Sequence, residues 1–238
     1  ILAHRVSAID DERIFDTLKS LTNDVFRDSN NTSDEITHNI IDKLSKESFP
    51  PCMQQINLYL NKHHKIKHLA RQQYILFLKG IGLSIDEAIK YWKSHFLKVM
   101  DLRQFESEYA YNIKHRYGLV GSRTNYKPYS CVKIISEVSP LGRECHGCPF
   151  RHEDLDTLKR KFTADKVKHS DNIIQLARSG KFQHACGAYF DSIHGIDDKT
   201  SDHTPNTPNE YFNNSISILQ KKGLSCLKKS LRDNKCDD

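Results

Sequence analysis

Apolar residues recur at helical spacing over most of the chain. Ile14, Leu18, Leu21 and Val25 share one face of a helix, and Ile36, Ile40 and Leu44 share another. Thr32-Ser33-Asp34-Glu35 reads as a capping box ahead of the second, and Ser84-Ile85-Asp86-Glu87 as one ahead of a helix over 88–99. Ser48-Phe49-Pro50-Pro51 breaks the chain before a helical stretch that starts near Cys52, and Gly80 and Gly82 break it after Leu78. Across residues 118–130 the pattern fades into Gly, Ser, Asn and Pro, where short extended pieces are expected. Helices resume over 131–137, 155–162, 171–179, 184–193 and 210–221. Residues 197–209, polar with two prolines, read as an exposed loop, and the tail from Lys222 has no periodic apolar face. The expectation is a mainly α chain with one small β-hairpin.

Composition narrows the class. With 238 residues the chain can build a real core, and a mean hydropathy of −0.64 marks it as polar. Its longest apolar run, Tyr74 to Leu78, stops at Lys79 and is far too short to cross a bilayer, so no membrane role is expected. The start, ILAHRVSAIDDERIF, lacks a secretory signal and an initiator Met, which predicts a piece of a longer protein. Seven cysteines, an odd number at wide spacing, point to a reducing compartment with thiols free or on metal. The net charge is +6, and residues 61–130 hold thirteen Lys/Arg against five Asp/Glu, or +8. The remainder therefore sums to −2. The basic segment also holds Trp92, Tyr109, Tyr111, Tyr117 and Tyr126, a mixture that suits nucleic acid as well as a solvated helical face.

Chemistry concentrates in two sets of residues. Cys145 and Cys148 form a C-x-x-C pair within ECHGCPF, while Cys52, Cys131 and Cys186 stand alone at or near predicted helix starts. Zinc, a redox dithiol and an iron–sulfur cluster all compete for such residues. No second C-x-x-C supports zinc, no βαβ pattern supports a redox dithiol, and Cys148-Pro149 fits a habit of cluster-binding runs. Spacing alone leaves iron–sulfur and zinc level. The second set begins in the cation-rich stretch His63 to Arg71. Were that stretch one helix with its sequel, His64, His68, Arg71 and Lys79 would fall within about a quarter-turn, a stripe for phosphate. No carboxylate cluster, phosphate-cradling glycine loop or nucleophile with a base is evident, so the chain itself is not expected to be an enzyme.

Several motifs in order resemble the C-terminal domain of the eukaryotic DNA primase large subunit. They are Phe49-Pro50-Pro51-Cys52-Met53, Arg71-Gln72-Gln73-Tyr74 through Gly80-Ile81-Gly82-Leu83, and Tyr109-Ala110-Tyr111-Asn112-Ile113-Lys114-His115. Arg123-Thr124-Asn125-Tyr126, His146-Gly147-Cys148-Pro149-Phe150-Arg151-His152 and Ala185-Cys186 continue the series. The resemblance implies a helical domain of two lobes, over 48–221, stapled by a [4Fe–4S] cluster on Cys52, Cys131, Cys148 and Cys186. Residues 1–47 would then be a helical extension and 222–238 a tail, with Cys145 a bystander.

The same resemblance implies that His64, Lys67, His68, Arg71 and Lys79 grip the 5′-triphosphate of the RNA primer on template DNA. It further implies that Tyr109, Tyr111, Asn112 and His115 touch template or primer, that Arg123 contacts backbone phosphate, and that Trp92 lies near the nucleic-acid surface. The implied role is support of primer initiation and length control in the nucleus. Implied partners are the catalytic small subunit of primase and the DNA polymerase alpha complex. A zinc-binding nucleic-acid module and an iron–sulfur redox enzyme are the alternatives.

Overall fold

Two adjacent prolines end one helix and begin the next. The computed structural model describes residues 36–196, 203–225 and 227. A short 3-10 turn, His38–Ile40, leads into α1 (Ile41–Ser48), after which Phe49 and Pro50 are extended. Pro51 then takes the first turn of α2 (Pro51–His63), where its missing N–H costs nothing. His64 closes α2 in the left-handed conformation (φ 57°) and donates its N–H to the Leu60 carbonyl at 2.7 Å. The chain turns through buried Ile66 before α3 (His68–Gly80).

Helix α3 runs through the larger core. Ala70 to Leu78 are all buried, so the helix has almost no solvent face. Burial of Tyr74, Phe77 and Leu78 alone contributes about 1.5–3 kcal/mol each before the entropy of ordering is charged. At its end Gly80 has no room for a side chain, since a Cβ there would lie 2.4 Å from the Pro128 ring and 2.5 Å from Asn209. Ser84 then caps α4 (Ile85–Phe96). Asp101 caps α5 (Leu102–Phe105), which runs through a π turn, Glu106–Ala110, into α6 (Tyr111–Arg116).

After residues 118–130 come α7 (Cys131–Ser136), α8 (Pro149–His152) and α9 (Leu155–Ala164). Then follow α10 (Ser170–Arg178), α11 (Phe182–His194) and α12 (Pro208–Lys221). Among the described residues, side chains form two hydrophobic cores. The larger holds Phe49, Tyr74, Trp92, Phe96, Phe105 and Phe212, and the smaller holds Phe150, Leu158, Phe162, Ile173 and Tyr189. Cys148 packs against both.

Asn57 satisfies the polar ends inside the larger core. Its Oδ1 accepts from the Tyr74 and Tyr91 hydroxyls at 2.8 and 2.7 Å, and its Nδ2 donates to Asp42 Oδ1 at 2.9 Å. Two buried phenols therefore keep partners, which such groups require.

Two expectations change, the hairpin and the continuous stripe. Among the described residues there is no strand, and residues 118–130 form irregular loop and turns where a hairpin is expected. Ile36, Ile41 and Leu44, ahead of residue 48, are part of the larger core. Leu227 is buried in the larger core. The single helical stripe from His64 to Lys79 is interrupted, since His64 caps α2 and α3 starts four residues later. The helix expected around Ile14 to Val25, the capping box at Thr32 to Glu35, residues 197–202, Cys226 and the tail beyond Leu227 lie outside the described residues.

The capping box at Ser84 is half diverted. Ser84 Oγ accepts the Glu87 N–H at 3.3 Å, but the Glu87 carboxylate takes Lys90 Nζ at 2.7 Å and the His38 N–H at 2.8 Å. These contacts hold the Glu87 carboxyl at about 2, with the Lys90 hydrogen bond the largest cause and the His38 N–H next. A carboxyl depressed on folding stabilises above its unfolded pKa, and that support disappears as pH falls through the folded value. Glu87→Gln is therefore expected to lower stability by about 1 kcal/mol at neutral pH, discounted for solvent around exposed Lys90. Chemical unfolding across pH should show the gap to wild type closing between about 4.5 and 2.

Candidate metal centre and nucleic-acid interface

Four of the cysteines sit at or near helix starts. Cys52 follows Pro51 in the first turn of α2, Cys131 opens α7, Cys148 is the N-cap of α8, and Cys186 lies early in α11. The Cys131 N–H is fixed by the Asn206 carbonyl at 2.8 Å. All four line one cavity, otherwise walled mainly by Pro50, Ile134, Phe150, Phe182, Pro208 and Tyr211. The sequence separations of 79, 17 and 38 residues are thus closed by the fold.

Burial makes the four thiols harder to ionise, and for three of them neighbouring thiols add to it. Burial pushes Cys52 and Cys186 well above the usual thiol range, and their cysteine neighbours push them further. Cys131 rises to about 12 through burial, Cys148 and Glu210. Burial also raises Cys148, against the opposing N–H groups of Phe150 and Arg151. Cys145 is buried in the larger core and does not line this cavity. Burial and then Glu144 push its thiol to about 12. The donor set is four sulfurs in apolar walls, a soft site that suits thiophilic metal or an iron–sulfur cluster. Among the described residues, no three His, Cys, Asp or Glu side chains gather closely enough for one metal ion.

The second site is a broad groove of about 980 Å³ at the start of α3, with Lys65, Lys67, His68, Arg71, Tyr109 and Arg143 among its walls. Arg71 is 8% exposed, its guanidinium 4.7 Å from the centre of the Tyr109 ring, and Nη1 donates to the Ile66 carbonyl at 3.3 Å. Arg71 Nε is buried without a partner. His68 Nδ1 lies 3.4 Å from Arg71 Nη2, and burial, then Arg71 and Arg116, lower the His68 pKa. Lys67, just ahead of α3, is exposed and pairs with Glu144 at 3.6 Å. Beside α3, Arg116 lies over the Tyr126 ring at 4.9 Å, while the His115 ring sits 6.1 Å from Tyr111 and 5.2 Å from Tyr126. Tyr111 is exposed, and Asn112 Oδ1 and Arg116 Nε are buried without partners. Arg123 is exposed on the following loop, in the left-handed region at φ 51°.

Several expected contacts stand apart. Trp92 is fully buried, ringed by Tyr74, Tyr91 and Phe96, so its indole belongs to the core rather than to a nucleic-acid surface. Lys79 donates to the Arg116 and Tyr126 carbonyls at 3.2 and 3.1 Å and to Asn125 Oδ1 at 2.7 Å. All three of its N–H bonds are occupied in clasping a loop. His64 lies 6.0 Å from the His95 ring, and its Nδ1 is buried without a partner. Tyr109 and Tyr111 are helical, Tyr109 buried under Arg71 and Tyr111 outside.

The sequence does not single out Arg116 or Arg143. Arg116 directly follows His115, and the Tyr111 to Tyr126 interleaving of rings and cations is its only local signal. Arg143 reaches the groove through a loop fold that leaves no local pattern.

Residues 42–212 match the family of the C-terminal domain of the eukaryotic and archaeal DNA primase large subunit. The DNA primase large subunit of Homo sapiens is 44% identical over 182 residues, covering 75% of this chain and 35% of that protein. That of Drosophila melanogaster is 41% identical over 209 residues, covering 86% and 38%. That of Saccharomyces cerevisiae is 34% identical over 215 residues, covering 87% and 40%. The chain spans well under half the length of these relatives. The matched segment contains all four cavity cysteines and the whole groove helix α3. The chain therefore belongs to the DNA primase large subunit family and carries its C-terminal domain.

Proposed function

We propose that this domain holds a [4Fe–4S] cluster on Cys52, Cys131, Cys148 and Cys186 and, beside it, binds the 5′-triphosphate end of an RNA primer on template DNA. The observation that carries the reading is four cysteines from four helix starts lining one apolar cavity. Zinc coordinates thiolates at about 2.3 Å, which would draw four sulfurs around a single point. A [4Fe–4S] cluster takes four thiolates, one on each iron, and the four cysteines lining the cavity supply that number. When bound, the cluster supplies the positive charge that four buried thiolates need and ties distant segments covalently.

On the groove, this chain's own residues do the binding. Arg71 is held against Tyr109, so its fork meets phosphate oxygens with little further ordering. His68 and Arg116 add donors, and the uncapped N–H groups at the start of α3 add a favourable dipole. Tyr111, His115 and Tyr126 offer ring faces to bases or sugars alongside. The domain thereby fixes one end of the primer while the small, catalytic subunit of primase extends the other, an arrangement that helps the first bond form and reports primer length. On this reading the chain works in the nucleus, in a complex with that subunit and DNA polymerase alpha, as an accessory and not as the catalyst.

Two measurements test the reading. Anaerobically purified protein is expected to contain iron and sulfide near four each per chain. Cys→Ser at 52, 131, 148 or 186 should lower both sharply, and Cys145→Ser should leave both unchanged; zinc alone would end the cluster proposal. Binding of an RNA–DNA duplex should weaken about tenfold or more when the 5′-triphosphate becomes a hydroxyl, as expected for loss of charge-assisted hydrogen bonds. Arg71→Ala should erase that difference, and equal wild-type affinity for the two ends would refute end capture.

A further inference from the structure

Three successive residues of α3 face three different ways. Arg71 lines the groove. Gln72, 8% exposed, lies one turn beyond His68 with its Nε2 2.5 Å from His68 Nε2, and its Oε1 accepts the Tyr129 hydroxyl at 3.2 Å. Tyr129 stands two residues before Cys131. Gln73, 3% exposed, accepts the Gly147 N–H on Oε1 at 2.9 Å, immediately before Cys148. Its Nε2 has no partner, so the amide is held there by its oxygen alone. Gly147 itself, at φ 87°, has no space for a side chain, because a Cβ would lie 2.7 Å from the His152 ring.

We propose that Gln72 and Gln73 are positioning residues that couple the primer-end groove to the cysteine cavity, so that a ligand in one tightens the other. The inference rests on the function proposed above. Helix α3 is buried on nearly every side, and its residues cannot shift independently. A phosphate that fixes His68 and Arg71 also fixes Gln72, and through it the approach to Cys131. Opening of the cavity must break the Gln73–Gly147 and Gln72–Tyr129 hydrogen bonds, both of which are tied to that same turn of helix. A ligand at the groove therefore raises the cost of opening, and by linkage an intact cavity raises affinity at the groove.

The test is the rate at which a chelator withdraws iron from anaerobically purified protein, with and without a saturating triphosphate-ended RNA primer annealed to template DNA. In the wild type the duplex should slow release about fivefold, the low end of ordinary coupling. Gln73→Met, similar in volume but without the acceptor, should bring the ratio close to one, and Gln73→Glu, which keeps an oxygen for the Gly147 N–H, should restore it. Tyr129→Phe removes a single hydroxyl and should lower the ratio in a protein of full iron content. If Gln73→Met loses iron on purification, Tyr129→Phe decides. Wild-type protection persisting in the variants that keep full iron content overturns the coupling. A wild type without iron, or without preference for the triphosphate, overturns the underlying function instead.

Discussion

Four thiols enclosed in one apolar cavity set the terms for everything around them. Burial makes all four harder to ionise, and neighbouring thiols add to this for Cys52, Cys131 and Cys186, so the cavity favours either neutral thiols or thiolates balanced by positive charge. The fold approaches that cavity with helix beginnings, whose N–H groups are the backbone's own means of tolerating negative charge. Pro51 and Pro149 start two of those helices beside the cysteines. The two hydrophobic cores meet at Cys148, so the cavity lies where the packing is least continuous.

The basic segment divides its cations between two tasks. Lys79 holds the loop after α6 through three filled hydrogen bonds. Arg71 is buried like a core residue yet faces a groove, and Tyr109 beneath it supplies the ring that makes such burial tolerable. An arginine held in that way keeps its fork oriented before any ligand arrives. Arg71, Asn112 and Arg116 each keep a buried polar atom without a partner, and the Tyr111 ring is exposed.

Helix starts were the most legible part of the fold. Ser84 and the Pro50-Pro51 pair act locally, so their signals survive in sequence, and the capping and breaking they predict are observed. The cavity cysteines were legible through motifs, since no spacing rule joins positions 79, 17 and 38 residues apart. Long-range features were not. A stripe from His64 to Lys79 presumes continuous helix, and the left-handed turn at His64 breaks it without any Gly or Pro as warning. Trp92 carries no local mark of core or surface, and Tyr74, Tyr91 and Phe96 decide the matter by surrounding it. The 118–130 loop has hairpin composition, but Lys79 claims the Arg116 and Tyr126 carbonyls and Asn125, which leaves less of the segment for pairing.

The π turn at Glu106–Ala110 has an evolutionary reading. A π turn holds one residue more than an α turn, so everything after it is rotated by roughly 100° relative to an unbroken helix. That rotation lets Tyr109 lie inward under Arg71 while Tyr111, His115 and Arg116 emerge beside it. A single-codon deletion in this turn would leave the helix intact and its composition nearly unchanged. It would nonetheless re-aim three side chains at once, which makes the length of this segment a heritable dial for the shape of this surface.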